Sequence, residues 1–249
     1  MTSFNDTVTE ESKPKPKVTF GSDYVRITSQ HQTVLRVVDD APTKSWQHFV
    51  PKGHKGFPNA NNGNGIGVMC SGQNTCPVCA WNKSLPTDDS GLLKVRPVYS
   101  FNVIDRTPVK ACPTEDCGYV AYYENDTWVE DCPTCGADLT SVVSAPKDKV
   151  QIMQKGITVI KQLATFEQDD DLGDLSGYDV KFDTRGTGKD SVTTCIPKPS
   201  SESVADILGD NWKEQLYDVK EVTTPLAPAD TKRILDGETF YNVVGKKDE

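Results

Sequence analysis

The stretch from Cys70 to Arg106 reads CSGQNTCPVCAWNKSLPTDDSGLLKVRPVYSFNVIDR. Near its start Cys76 and Cys79 form a C-x-x-C pair, a spacing at which two thiolates can bind one tetrahedral zinc ion, and Cys70 is close enough in sequence to add a third. Its end is rich in β-branched, aromatic and basic residues, which is typical of a strand. The stretch therefore predicts a metal-bound knuckle joined to a long basic and aromatic strand.

Three thiolates need a fourth ligand, and the chain has three histidines. His31 is remote from the cysteines, whereas His48 and His54 both lie just upstream of Cys70. His48 occurs in SWQHFVP, which alternates as a strand does, and His54 is bracketed by glycines. A ligand on a regular element is easier to hold in place, so we prefer His48 and keep His54 as the alternative. The other interpretation of these cysteines is that they are ordinary buried thiols.

The strand pattern KVRPVYSFNVIDR begins at Lys94 and alternates with a period of two. Tyr99 and Phe101 share one parity, and the basic residues Arg96 and Arg106 share the other. Aromatic rings beside a basic row favour a groove for single-stranded DNA, because every base offers a flat face for stacking. The alternative is that the rings belong to a hydrophobic core. The residues predicted to contact DNA are Trp46, Lys94, Arg96, Tyr99, Phe101, Arg106, Arg185 and Lys189.

A second cysteine set interrupts this pattern between residues 111 and 143. Its members follow C-x4-C and C-x2-C spacing and are Cys112, Cys117, Cys132 and Cys135. Four thiolates fill a tetrahedral zinc site and leave no open position, so the site is expected to be structural. The sequence thus predicts a zinc ribbon inserted in the main domain and two zinc ions per chain.

The net charge of −9 alone would disfavour nucleic-acid binding, but this charge is distributed unevenly along the chain. Residues 1–161 contain 17 basic and 17 acidic side chains, so residues 162–249 carry the whole excess. Within the first part, residues 111–143 hold seven acidic side chains and no basic ones. The remainder of that part is therefore basic, which suits phosphate binding. The acidic C-terminal region is expected to dock protein or to occupy the chain's own basic groove rather than bind nucleic acid.

The chain is expected to have a core with two appendages. Residues 1–20 are polar, contain KPKPK, and predict a flexible basic arm, or a solvated tail without a role. They lack a secretory pattern, which favours a reducing compartment and metal over disulfides. Residues 21–200 form the core, whose RGTGKD turn brings Arg185 and Lys189 toward phosphate. Residues 201–249 are expected to form an acidic helical segment.

The motifs HFV, CPVC, YSFNVIDR, KGITVIKQL, GYDVKF and RGTGKDSVTTCIP occur in this order over roughly residues 24–200. This arrangement resembles the single-stranded DNA-binding proteins of tailed bacteriophages, the helix-destabilising protein family of the T-even phages. The resemblance implies a mainly β fold, an OB-fold barrel, that acts in DNA replication, recombination or repair in the cytoplasm of the infected bacterial host. It also implies DNA along the basic aromatic groove and one zinc ion. The implied zinc ligands are His48, Cys70, Cys76 and Cys79.

The inserted ribbon and the helical C-terminal segment depart from that family. They leave a competing hypothesis, a zinc-ribbon adaptor that recruits a polymerase or another replication, recombination or transcription protein. An enzyme is not expected, because both metal sites are filled by four protein ligands and the chain has no HExxH motif.

Overall fold

The computed structural model describes residues 23–25, 27, 32–124, 127–186 and 191–244. The described residues contain more strand than helix, and the paired strands run antiparallel, which confirms a mainly β fold. The chain separates into two compact units. The first unit comprises residues 1–42 and 101–218, and the second comprises residues 43–100 and 219–249.

The regular elements are named here in chain order. The strands are β1 (Thr33–Val37), β2 (Thr43–Val50), β3 (Ile66–Met69), β4 (Val95–Asp105), β5 (Pro108–Ala111), β6 (Val120–Tyr122), β7 (Ala145–Pro146), β8 (Lys149–Lys155), β9 (Asp179–Arg185) and β10 (Val192–Lys198). The α-helices are α1 (Pro77–Lys83), α2 (Ile157–Glu167), α3 (Val204–Leu208), α4 (Val219–Val222), α5 (Pro228–Asp236) and α6 (Phe240–Val244). Short 3₁₀ helices occupy Leu175–Gly177 and Trp212–Gln215.

The first unit is built around a sheet in the order β10-β9-β1-β4, with β8 also paired to β4. Strand β1 reads TVLRV and is buried along its whole length. Helix α2 covers this sheet with Val159 and Leu163. The predicted hairpin is confirmed, since β9 pairs with β10 and Phe182 lies opposite Cys195. The turn residues 187–190 lie outside the described part of the chain.

The second unit contains the β2–β3 hairpin, with β2 also paired to residues 95–100 of β4. Its core gathers Val50 and Val68 from the hairpin, Val78 from α1, Leu93 from the loop before β4 and Leu235 from α5. Leu235 reaches this core from far along the sequence, on the buried face of the amphipathic helix α5. Helix α1, which carries Cys79, packs in the same core through Val78.

The ribbon, residues 111–143, is attached to a small sheet in the order β6-β5-β7 within the first unit. Its core is small, with Ala121, Cys132 and Leu139 as the buried residues. The rings of Tyr123 and Trp128 lie 5.6 Å apart between their centroids. Such a small core cannot stabilise the module alone, which is consistent with a structural metal.

The C-terminal residues are divided between the two units. Helix α3 begins after Ser203, where Ser203 and Asp206 form a capping box, and Val204 packs on Val38 and Ile104 in the first unit. Helix α5 instead packs in the second unit. The predicted basic arm, residues 1–20, lies outside the described residues.

The strand pairings described within the two units run in an open order. Among the described residues these pairings do not close into a ring, so the sheet is not a closed barrel. No helix in the described part of the chain has the length and apolar character needed to cross a membrane.

Candidate metal centres and nucleic-acid surface

The first metal centre brings together four side chains from three parts of the second unit. His48 comes from β2 and Cys70 directly follows β3, whereas Cys76 caps helix α1 and Cys79 lies in its first turn. Their ligand atoms all lie within 4.8 Å of one another. His48 Nε2 is 3.2 Å from Cys79 Sγ, and Cys70 Sγ is 3.6 Å from the same sulfur. The group can hold one metal ion.

The His48 ring is oriented by its second nitrogen. Nδ1 lies 2.7 Å from the Leu93 carbonyl oxygen, so Nδ1–H donates to that oxygen and Nε2 faces the sulfurs. The Leu93 backbone is held in turn by the Asn82 side-chain amide, through bonds of 2.8 and 3.0 Å. A hydrogen bond behind a ligating histidine fixes its tautomer and direction, which is the usual arrangement at protein metal sites.

His54, the alternative ligand, lies outside this group. Its Nε2 is 2.8 Å from the Gly91 carbonyl oxygen, and its Nδ1 accepts a hydrogen bond from the Gly56 backbone N–H. Its ring lies against Phe57 and Trp81, with the centroid of Trp81 5.0 Å away. The Nδ1 bond lies within the loop between β2 and β3, and the Nε2 bond ties that loop to the segment before β4, so both nitrogens of His54 are engaged and the gathered histidine is His48.

Charge in the first centre is divided unequally among the thiols. Burial alone would raise the pKa of Cys76, but hydrogen bonds from His48 and from the backbone of Cys79 and Val78 lower it to about 6. Burial and the neighbouring sulfurs raise the pKa of Cys79 to about 12. The imidazole of His48 thus favours a thiolate at Cys76. Deprotonation of Cys79 would then place a second negative charge beside the first. A cation is what would hold all three sulfurs deprotonated together.

The second metal centre lies in the ribbon and consists of four cysteines, whose sulfurs also lie within 4.8 Å of one another. The Cys112 and Cys135 sulfurs are 3.5 Å apart, and those of Cys117 and Cys132 are 3.6 Å apart. A hydrogen bond with the Thr114 hydroxyl, aided by the Ala137 backbone, lowers the pKa of Cys135 to about 6. This group can hold a second metal ion.

Cys117 shows the opposite pKa shift. The backbone N–H of Tyr119 favours its thiolate, but partial desolvation and the surrounding sulfurs outweigh that bond and raise its pKa to about 12. The eighth cysteine, Cys195, belongs to neither centre. It is buried in the core of the first unit, where burial raises its pKa to about 12, so it remains a neutral thiol.

A basic aromatic surface continues from the first centre along the same face of β2. Lys44, Trp46 and His48 alternate on that face, and Tyr99 of β4 lies directly opposite Lys44. The Trp46 ring is 46% exposed, and the Lys44 ammonium lies 5.0 Å from its centroid. The Cys70 backbone N–H donates to the Trp46 carbonyl oxygen at 2.7 Å. Metal ligands and ring are therefore joined through one strand and one hydrogen bond.

Residues 43–100 carry a positive net charge, with six basic side chains and two acidic ones, Asp88 and Asp89. The predicted contacts Lys94 and Arg96 are both exposed where β4 begins, but Arg96 lies opposite Gln47 of β2 and so points to the face away from Trp46. The cation beside Trp46 is Lys44, which was not among the predicted contacts although it lies two residues before Trp46 on the same strand face.

Two of the predicted DNA contacts are contradicted by their burial. Phe101 is 2% exposed and packs in the core of the first unit, so its ring is not available to a base. Arg106 is 8% exposed and forms ion pairs with Asp148 and Glu202. A guanidinium already surrounded by carboxylates offers phosphate little further attraction.

The two predicted contacts in the β9–β10 turn have different outcomes. Arg185 is exposed at the end of β9 and lies 3.2 Å from the Asp183 carboxylate, which it can leave at little cost. Lys189 lies outside the described residues. Arg185 does not belong to the unit that carries Trp46.

Comparison of the chain with models of known protein families gives no match, and comparison with curated proteins gives none either.

Proposed function

We propose that the protein binds single-stranded DNA without strict sequence preference and holds two structural zinc ions. The observation that carries the proposal is the exposed Trp46 ring beside Lys44 and Tyr99, on the strand that also supplies the metal ligand His48. An exposed aromatic ring flanked by cations is suited to stacking on a base while the cations attract the adjoining phosphates.

The donor sets support zinc as the metal. One group offers three sulfurs and one imidazole nitrogen and the other offers four sulfurs, which are the combinations found at structural zinc sites. Zinc neutralises the thiolates and ties the knuckle to the sheet when it is bound. The chain itself contributes the Leu93 carbonyl that aims His48 and the hydrophobic cluster that packs behind α1.

Positioning of the Trp46 ring explains why a metal would matter to DNA binding. A ring that is already held in its stacking position loses less freedom when a base arrives, so more of the stacking energy appears as affinity. Trp46 is held through its backbone by Cys70 and through its strand by His48. The knuckle thus acts as a support for the ring.

The proposal includes the resemblance to the helix-destabilising proteins of the T-even phages, with an OB-type sheet in the DNA-binding core. It is supported by the order of the motifs, the mainly β fold and the histidine and three cysteines that gather at the knuckle. A role in phage DNA replication, recombination or repair follows from this resemblance. The proposal places DNA on the face of β2 that carries Trp46.

The deciding experiment compares two exposed rings on opposite faces of β2. Trp46→Ala removes the proposed stacking ring, and Phe49→Ala removes a ring that is 64% exposed on the other face. We expect Trp46→Ala to weaken binding of a labelled oligothymidine by about 1–3 kcal/mol. Phe49→Ala should bind like the parent protein. Fluorescence anisotropy measures the affinity, and circular dichroism with zinc analysis checks folding.

Two results would contradict the proposal. Equal affinity of Trp46→Ala and the parent for oligothymidine shows that DNA does not lie on this face, and a loss confined to Phe49→Ala places it on the opposite one. If the parent protein binds single-stranded and duplex DNA equally at the same salt concentration, it has no preference for single strands, which also contradicts the proposal.

A further inference from the structure

The small sheet that carries the ribbon has an apolar outer face. The strand registers place Val109 and Ala111 of β5, Val120 and Tyr122 of β6 and Ala145 of β7 on this face. The opposite face carries the buried residues that pack on the ribbon core. Ala111, Val120 and Ala145 are exposed, and no side chain of the five is charged. We call these five residues the outer face.

Two further apolar side chains in the ribbon are open to solvent. Val143, two residues before Ala145, is 87% exposed, and Val129 is 42% exposed. Valine at such exposure on a strand flank contributes nothing to the ribbon core, which consists of Ala121, Cys132 and Leu139. A grouped set of exposed apolar side chains is typical of a surface that contacts another molecule.

The ribbon next to the outer face carries charged side chains of a single sign. The ribbon contains seven acidic side chains and no basic ones. Every acidic residue in its described part is exposed, and these residues are Glu115, Asp116, Glu124, Glu130, Asp131 and Asp138.

The two lysines that flank the ribbon are already engaged. Lys110 is buried and donates to the Leu139 carbonyl oxygen at 2.8 Å. Lys147 binds the Asp105 carboxylate at 3.0 Å and lies 4.7 Å from the centre of the Tyr122 ring. Lys147 therefore lies over the outer-face residue Tyr122, and the charge of Lys110 acts on the Asp138 carboxylate, but the excess of carboxylates keeps the ribbon acidic.

We propose that the outer face binds a protein segment that carries lysine or arginine next to apolar side chains. The apolar part would cover Val120 and its neighbours, and the cations would meet the surrounding carboxylates. Charge complementarity selects this occupant. A nucleic acid or a second copy of the ribbon brings negative charge within the roughly 8 Å over which exposed charges act at physiological salt, so both are repelled. This inference is independent of where DNA binds.

The test uses a defined probe and the zinc-loaded full chain. A labelled eight-residue peptide of alternating valine and lysine supplies both features, and a threonine–lysine peptide supplies the charge alone. The double variant Val120→Thr, Val143→Thr removes apolar surface without changing charge. We expect at least tenfold weaker binding of the valine–lysine peptide to this variant than to the parent. Val192→Thr, at a valine 63% exposed on β10, is the matched control and should bind like the parent.

The electrostatic half of the proposal is tested separately. Glu130→Gln with Asp131→Asn should weaken the valine–lysine peptide severalfold and reduce the salt dependence of binding, whereas Glu214→Gln, outside the ribbon, should not. Equal binding of both peptides to the parent, together with no effect of the double valine variant, would show nonspecific charge attraction and overturn the proposal.

Two other occupants have distinct signatures, and either would overturn the proposal. Concentration-dependent dimers in sedimentation that disappear in the double valine variant would identify a second copy of the chain. A tenfold rise in peptide affinity after deletion of residues 1–20 would identify the lysine-rich segment of the same chain as the occupant.

Discussion

Residues 95–100 and 101–105 belong to one strand, β4, yet their side chains meet different surroundings. In the first half Val95 and Arg96 are exposed and Tyr99 is half-buried. In the second half every residue is buried, whichever face it points to. A strand can thus be a binding surface at one end and a core element at the other, although its amino-acid pattern is continuous.

The difference follows from what packs on each half. Phe101 and Val103 lie in the main core of the first unit beneath α2, and Ile104, on the other parity, packs with Val38 and the α3 residue Val204. Both faces of the second half are therefore covered. The first half lies in the second unit, where β2 pairs with it and the sheet face beside Trp46 stays open.

Polar side chains in and next to the covered half have specific partners, as burial requires. The Asn102 amide bonds to the Asp39 carboxylate and to the Tyr217 backbone. Asp105 accepts from Lys147. Desolvation alone would lower the pKa of Arg106, but its hydrogen bond to Asp148 and the nearby carboxylates raise it. The exposed half carries its cations where water and phosphate can reach them.

The largest contrast is expected between the two aromatic residues, which should separate stability from binding. Phe101→Ala opens a cavity in the core and should cost about 3–5 kcal/mol of unfolding free energy. Tyr99→Ala should keep most of the stability but weaken oligothymidine binding by about 1–3 kcal/mol if the ring stacks on a base. Phe101→Ala protein, measured below its melting temperature, should bind oligothymidine like the parent. A loss of binding in Phe101→Ala with none in Tyr99→Ala would contradict this assignment of the two rings.

A smaller contrast is expected between the two arginines of the pattern. Arg106→Gln removes a buried guanidinium from the partly exposed Asp148 and Glu202, while Asp179 keeps Arg36 as its cation, and should lower the free energy of unfolding by about 1–3 kcal/mol. Arg96→Gln changes an exposed side chain and should alter stability by no more than about 0.5 kcal/mol. Urea denaturation measures both. Equal, small losses would show that the Arg106 ion pairs contribute little.

Loss of the first metal should affect the exposed half alone. Cys79→Ser should reduce bound zinc from two ions per chain to one and weaken DNA binding by about 1 kcal/mol or more, as Trp46 loses its support. Cys135→Ser, the matched change in the ribbon, should also remove one zinc ion but leave DNA affinity unchanged. Atomic absorption and anisotropy give the two readouts.

The histidines provide the control for that experiment. His48→Ala should behave as Cys79→Ser does, and His54→Ala should retain both zinc ions. A zinc loss in His54→Ala with none in His48→Ala would contradict the ligand assignment.

The smallest expected effect concerns salt. Replacing Lys44, the cation beside Trp46, by Gln should reduce the slope of log affinity against log salt concentration by about one, the value for each phosphate that the protein no longer neutralises. Stability should stay unchanged, because this side chain is exposed. Glu130→Gln in the ribbon should leave the slope as it is. An unchanged slope in the first variant would place the phosphates elsewhere.

Several features could be predicted from the sequence because they depend on neighbours within a few residues. Cysteine spacing identified both ligand sets, and the strand-like setting of His48 distinguished it from His54 before the geometry was known. The hairpin of β9 and β10 and the Ser203 capping box follow from local turn and capping chemistry. These are short-range properties, so the residue order alone carries them.

The tertiary structure alone decided which half of β4 is exposed, and with it which side chains the proposed DNA-binding surface can include: Lys44 is exposed, whereas Phe101 and Arg106 are buried. Alternation with a period of two reports only that side chains point to opposite faces. Whether a face is covered depends on elements far along the chain, such as α3 on Ile104 and Glu202 on Arg106. No local pattern encodes that packing, and for this reason burial had to come from the fold.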